Sequence, residues 1–199
     1  MRWYTADLHL GHTNILRYCG RPFRDIDAMN EALIAGWNER VAADDEVWVL
    51  GDVALGTIRE TLPLVGRLAG RRRVLVSGNH DRCWPGNGPR AAEWEARYLD
   101  AGFDEIRHGT VPVDLPGGRR VLAGHFPYQG DSQPHDRYVA HRPPDEGGWL
   151  LHGHTHGRWR VNERQVDVGV DVWDYRPVGE DELAAVIAEA EAARATPAP

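Results

Sequence analysis

Five short apolar runs in this chain end alike, each giving way to a small or polar cluster that holds Asp, Asn or His. Trp3-Tyr4-Thr5-Ala6 precedes Asp7-Leu8-His9, Val47-Trp48-Val49-Leu50 precedes Gly51-Asp52, and Val74-Leu75-Val76 precedes Gly78-Asn79-His80-Asp81. Val121-Leu122-Ala123 and Trp149-Leu150-Leu151 do the same before Gly124-His125 and Gly153-His154-Thr155-His156. Unalternated runs of this length, rich in Val and Trp, are the pattern of strands buried on both faces.

Helical periodicity fills several of the gaps. Ile26, Met29, Leu33, Trp37 and Val41 recur every three or four residues, with Asp25 or Asp27 placed to cap the start. Thr57 and Glu60 have capping-box spacing, although Pro63 disturbs that helix unless it begins at Thr61. Ala91, Trp94, Tyr98 and Ala101 form another stripe, stopped by Gly102, and Leu183, Ile187 and Ala190 share a face of a helix running from Glu180 to Arg194. Strand and helix alternate through the first half, which predicts βαβ units and a largely parallel sheet. The second half adds strands at 103–108, 111–115, 119–123 and 165–170, with a turn at Pro116-Gly117-Gly118. Residues 127–148, polar and rich in Pro and Gly, read as a long loop carrying His135, Arg137, Tyr138, His141 and Arg142.

Ligands of open α/β sheets bind beyond the carboxyl ends of the strands. If these strands are neighbours, Asp7, His9, Asp52, Asn79, His125, His154 and His156 meet in one crevice. Asp7 and His9 are two apart, as are His154 and His156, so each pair can point to one side of an extended segment. Three oxygen donors and four imidazoles are too many for one tetrahedral ion and suit two.

Composition supports a metal site of this kind and excludes others. At 199 residues the chain has room for one domain, expected over 1–195, with a frayed tail at 196–199. Two cysteines, Cys19 and Cys83, make neither a disulfide framework nor a Cys-based metal site, whereas ten histidines are an unusual supply of imidazole. Nothing approaches a membrane span or a signal core, so a cytoplasmic protein is expected. The net charge of −7, with Arg as its only strong cation, argues against a general nucleic-acid coat.

In their order, Asp-x-His, Gly-Asp, Gly-Asn-His-Asp, Gly-His and Gly-His-x-His resemble the five motifs of the calcineurin-like metallophosphoesterase superfamily, over residues 7–156. The resemblance implies a layered α/β sandwich of two mixed β-sheets flanked by helices, with a dinuclear site at the strand C-terminal ends. It places Asp7, His9 and His156 on one ion and Asn79, His125 and His154 on the other, with Asp52 bridging. It makes His80 the general acid and Asp81 the carboxylate that orients it, around a metal-bridging hydroxide as nucleophile. The implied activity is phosphate-ester hydrolysis, with phosphodiesters favoured, including a nucleotide or a nucleic-acid end. The alternatives are a phosphomonoesterase or protein phosphatase, or a catalytically silent scaffold. Gly11-His12, the RPF at 21–23 and Val170-Asp171-Val172 resemble a bacterial subgroup.

The mixed oxygen and nitrogen donors point to two divalent transition ions, Mn, Fe, Zn, Co or Ni, with Mn the first choice. Two such ions bring +4 and Asp7 with Asp52 −2, so the site attracts an anionic ester although the chain is acidic. His12 and Arg82 are candidate substrate contacts, and the 127–148 loop a candidate lid. His152 and Cys83 read as packing residues, Arg71-Arg72-Arg73 as a solvated turn. No obligate protein partner and no membrane partner is expected.

Overall fold

The computed structural model describes residues 1–195, so the expected tail at 196–199 lies outside the described residues. The first half builds the parallel sheet that its alternation predicts. β1 (Arg2–Thr5), β2 (Glu46–Val49), β3 (Arg72–Val76) and β4 (Glu105–Arg107) lie side by side and parallel. Their register is nearly level, with Thr5 opposite Val49 and Val49 opposite Leu75, so the clusters after β1, β2 and β3 emerge at one edge.

A second sheet comes from β5 (Thr110–Leu115), β6 (Arg119–Gly124), β7 (Leu150–His152), β8 (Val161–Asn162) and β9 (Gln165–Asp167), in the order β5-β6-β7-β9-β8. β6, β7 and β9 are parallel to one another, while β5 and β8 close the two edges as antiparallel strands. β10 (Val178–Gly179) then returns to the first sheet, antiparallel to β1. Both sheets are therefore mixed.

Alternate residues of the parallel strands serve two cores, which is why their sequences are apolar without interruption. Trp3, Val47, Val49 and Leu75 pack against α2 (Ile26–Arg40) and α4 (Ala92–Ala101) through Leu33, Ile34, Trp37 and Tyr98. Tyr4, Trp48, Leu50, Val74 and Val76 face Val113, Val121, Ala123, Leu151 and Val166 of the other sheet. α5 (Glu180–Ala195) seals this inter-sheet core with Leu183 and Ile187. Each such fully buried aliphatic side chain contributes about 1.5–3 kcal/mol.

Local signals account for most boundaries. Asp25, extended at φ −156°, caps α2 by accepting from the Ala28 N–H at 2.8 Å, which settles the choice between Asp25 and Asp27. α4 ends at Gly102, whose φ of 124° suits glycine. Thr57 makes no side-chain cap, and α3 (Ile58–Thr61) gives way at once to a 3-10 segment, Leu62–Arg67, with Pro63 in its first turn. The strand expected over 165–170 stops at Asp167, and residues Val170–Val172 form a 3-10 turn instead. The four-residue helix α1 (Ile15–Tyr18), β8 and β10 were not expected, being too short for periodicity to register. No helix among the described residues is long and apolar enough to cross a membrane.

Candidate metal centre

All seven expected ligands arrive at one place, the seam where the C-terminal ends of the two sheets meet. Asp7, Asp52 and Asn79 follow β1, β2 and β3, and His125, His154 and His156 follow β6 and β7, while His9 follows Asp7. Backbone bonds stitch the loops: Asp7 N–H donates to Gly51 O at 3.0 Å, His9 N–H to Asp52 O at 2.9 Å, and Gly153 N–H to His125 O at 3.1 Å. Across the seam, His154 N–H donates to Asp7 Oδ2 at 2.8 Å and Val170 N–H to Ala6 O at 3.1 Å.

The donor atoms sort into two overlapping groups. Asp7, His9 and His156 each place one donor atom within 4.8 Å of the others, and so do Asp7, Asp52 and His125. Asp52 Oδ2 lies 3.6 Å from both His9 Nε2 and His125 Nε2, between the two groups. Asn79 Oδ1 lies 3.0 Å from His125 Nε2 and from His154 Nδ1. Each of these imidazoles has its other nitrogen committed: His125 Nδ1–H donates to Leu50 O at 2.8 Å and His154 Nε2–H to Asp131 at 3.0 Å. What faces Asn79 is then a pair of lone pairs, three acceptors converging with no hydrogen between them.

Buried polar atoms in folded proteins are paired, and leaving one unpaired costs about 1–3 kcal/mol. Here Asp7 Oδ1 and both ring nitrogens of His9 have no hydrogen-bond partner although both side chains are buried. The backbone is strained at the same points. Asp7, His9, Asp52, His154 and His156 all adopt positive φ, between 51° and 70°, a conformation that costs a non-glycine residue about 1 kcal/mol or more. Two glycines let the loops close. Gly51, at φ 89°, would put a Cβ 2.5 Å from His125 Nδ1 and 2.7 Å from Gly78, and a Cβ on Gly153 would meet Asp7 Oδ2 at 2.6 Å.

The electrostatics are those of a site short of positive charge. Burial pushes the Asp7 carboxyl up to about 6 and that of Asp52 to about 7. Burial also takes His9 well below its ordinary value and His154 down to about 3. His156 departs from this pattern: burial pulls it down, but Asp7 and Asp171 together raise it well above the ordinary imidazole value.

Two expected catalytic groups need separate accounts. His80 is half-exposed at the rim, its Nε2 4.0 Å from Asp52 Oδ2 and its ring beside those of His9 and His12. Burial lowers it to about 4. Asp81 does not orient it. The Asp81 carboxylate is fully buried and accepts from the backbone N–H groups of Asp52, Val53 and Gly78 at 2.9, 3.0 and 2.8 Å. It braces the loops after β2 and β3 because three orphaned amides converge on it. His12 lines the cleft with His9 and His80, and Arg82 stands exposed beside His80 with its guanidinium 4.6 Å from the Trp94 ring.

Three further groups support these candidate ligands. Arg21, buried, makes a bidentate pair with Asp171 at 2.8 Å on each arm and donates to Asp7 O at 2.7 Å and Leu8 O at 3.0 Å. Asp171 Oδ2 accepts from His156 Nδ1 at 2.8 Å, which leaves Nε2 as that residue's donor to the site. The RPF and Val170-Asp171-Val172 segments thus meet in space, a pairing that their separation in sequence conceals. Asp131, from the 127–148 loop, holds His154 and is itself held by Arg137 at 2.7 Å; no local pattern marked it. In the same loop His141 packs on Trp84 instead of facing the site, and Arg142 turns inward to pair with Asp136 at 3.0 Å and with Asp131 at 3.7 Å. Cys19 comes within 4.8 Å of His156 and Asp171, while His152 and Cys83 are buried packing residues as expected.

An α/β chain with two mixed sheets and a buried His, Asp and Asn cluster at their seam is the class these observations define. The chain belongs to the family of the mycobacteriophage Gene 66 proteins: it is 39% identical to the Gene 66 protein of Mycobacterium phage D29 over 89% of this chain and 92% of that protein. The Gene 66 protein of Mycobacterium phage L5 is 33% identical over 91% of each chain. The fold is shared with a solved structure, the protein of unknown function AQ665 from Aquifex aeolicus, at a TM-score of 0.70 and 23% identity over 94% of this chain and 99% of that one. No family model matches the chain.

Proposed function

We propose that this protein is a metal-dependent phosphoesterase of the calcineurin-like type, with phosphodiesters as its favoured substrates. The observation that carries the reading is the set of unpaired buried donors, Asp7 Oδ1 and both nitrogens of His9, within a convergent cluster that fits two divalent transition ions. Asp7, His9 and His156 would hold one ion, Asn79, His125 and His154 the other, and Asp52 both. Such ions, when bound, neutralise charge on phosphoryl oxygens and acidify water, the two requirements of ester hydrolysis at neutral pH.

The chain's own residues do the rest. Leu50 O, Asp131 and Asp171 fix which nitrogen His125, His154 and His156 present, so these three donors are aimed before any ligand arrives. His80, at the rim and bonded to no ligand group through its ring, is placed to donate a ring N–H hydrogen bond to the leaving oxygen. Arg82 flanks it with positive charge for an incoming anion, and His12 flanks it with a ring that can hydrogen-bond that anion.

The test is metal analysis of protein purified without chelator, alongside hydrolysis of bis(p-nitrophenyl) phosphate and p-nitrophenyl phosphate with each candidate ion. Two equivalents of metal and faster diester hydrolysis are expected, and His80→Ala should lower turnover about 10²–10⁴-fold with metal content kept. Two bound metals with no hydrolysis of any simple ester would favour a silent scaffold. A clear advantage for the monoester would overturn the diester preference, and metal loss in His80→Ala would remove that residue from its role.

A further inference from the structure

His80 stands between two clefts, not at the end of one. On one side, a cleft of about 440 Å³ is lined by His9, His12, Tyr18, Arg137 and Arg158 among others. On the other, a cleft of about 320 Å³ is lined by Asn79, Arg82, Asn87, Arg90 and Trp94. His80 belongs to both linings. A site for a small monoester needs one cleft; two with His80 between them accommodate a chain that continues past the scissile bond in both directions.

The charge of the two clefts identifies that chain. The protein carries 30 carboxylates against 23 arginines, yet neither lining contains Asp or Glu. Two grooves elsewhere do, with Asp27, Glu31 and Glu60 in one and Asp100 in the other, while a third, beside Trp84 and His108, has neither acid nor Arg. Arg82 and Arg158 form no ion pair among the described residues: Arg82 lies over Trp94 at 4.6 Å and Arg158 donates to the carbonyls of Asp131 and Gln133, while Arg90 has an exposed pair with Glu93 at 3.5 Å that a phosphate can displace. Arg137 is anchored on Asp131 through Nε and Nη2, which leaves Nη1 for the cleft. Aromatic surface accompanies the charge, since Tyr18 is 62% exposed at the rim of the first cleft and Trp94 props Arg82 in the second. Cationic grooves with exposed rings are how single strands are held, phosphates on arginine and bases on π-faces.

Building on the phosphoesterase reading, we propose that the substrate is a single-stranded polynucleotide lying across His80, one arm on Tyr18, Arg137 and Arg158 and the other on Arg82 and Arg90.

The experiment is fluorescence anisotropy of a labelled oligodeoxythymidylate with the full chain in EDTA, where the arms bind and no cleavage consumes the probe. Four phosphate contacts predict that log K falls with log salt at a slope of about −3, and charge reversal in R82E/R90E should bring it to about −1.5. Tyr18→Ala should weaken binding about tenfold through loss of a stacked base. These are exposed side chains, so far-UV circular dichroism of each variant should match wild type. Affinity no better than that of thymidine monophosphate, an unchanged slope in R82E/R90E, or tighter binding of the matching duplex overturns the proposal. Hydrolysis of bis(p-nitrophenyl) phosphate without strand binding sinks the proposal and spares the phosphoesterase reading. Strand binding without hydrolysis of strand or ester sinks that reading and with it the strand's standing as substrate, leaving it a ligand of the clefts.

Discussion

Arg21 is the residue whose removal should be felt furthest from where it sits. Its guanidinium makes two bonds to Asp171 and one each to the carbonyls of Asp7 and Leu8, all between 2.7 and 3.0 Å, within buried surroundings. In Arg21→Ala, Asp171 becomes a buried carboxylate supported by His156 alone, and two carbonyls lose their donors. Breaking a buried pair from one side costs about 3–5 kcal/mol, against a total stability of about 5–15 kcal/mol for a domain. With a urea m-value of about 2 kcal/mol/M, the unfolding midpoint should fall by about 2 M. Arg21→Lys keeps the charge but not the fork and should lose about half as much. A double-mutant cycle with Asp171→Asn, read by urea denaturation of metal-free protein, should give a coupling of at least about 2 kcal/mol. The same variants should bind Mn or Co about 10–100-fold more weakly, because Asp7 and His156 lose the groups that aim them. A coupling below about 0.5 kcal/mol, or unchanged metal affinity in Arg21→Lys, would refute the reasoning.

Asp81→Asn should weaken metal binding and stability by about 1–3 kcal/mol, since an amide cannot accept from all three backbone donors, whereas His80→Ala should leave both near wild type; the opposite pattern in a metal titration would restore Asp81 to His80. Asp45 accepts from the Met1 amine, Trp3 Nε1 and Ala42 N–H at 2.8, 2.8 and 2.9 Å, and the amine bond holds its carboxyl down at about 2. Because the folded value lies below the ordinary 3.8, the stability it provides is complete above that pH and is lost as pH falls toward 2. Thermal melts between these limits should be steeper in wild type than in Asp45→Asn, and equal slopes would dismiss the linkage. Gly51→Ala should cost about 1–3 kcal/mol through its positive φ and the overlap with His125 and Gly78, measured by the same urea melts; a neutral effect would show that the loops give way.

What was legible in the sequence was whatever a local pattern encodes. The Val- and Trp-rich runs predict strands because both faces of β1, β2 and β3 are buried, and the polar residue closing each run marks the edge where the donors gather. Short elements escaped, as β10 owes its existence to pairing with β1 and not to its own two residues. The assignment of Asp81 to His80 failed for a related reason. Adjacency in sequence suggested contact, but the turn after β3 swings the carboxylate toward the amides of the neighbouring loop. Arg21, Asp131 and Asp171 act through partners far away in the chain, a relation that a single sequence records only as unexplained segments.

The position of the centre at the seam between sheets has a consequence for how the protein comes into being. All seven donors have been synthesised once His156 leaves the ribosome, yet the frame that aims them is still incomplete. Asp171, β9 and β10 all follow, and β10 reaches back to pair with the first strand made. A nascent or truncated chain ending shortly after His156 therefore owns every donor and no assembled centre. Under the proposed function, metal uptake would wait for β10 to pair with β1, and a bound ion would report that the chain has folded through residue 179.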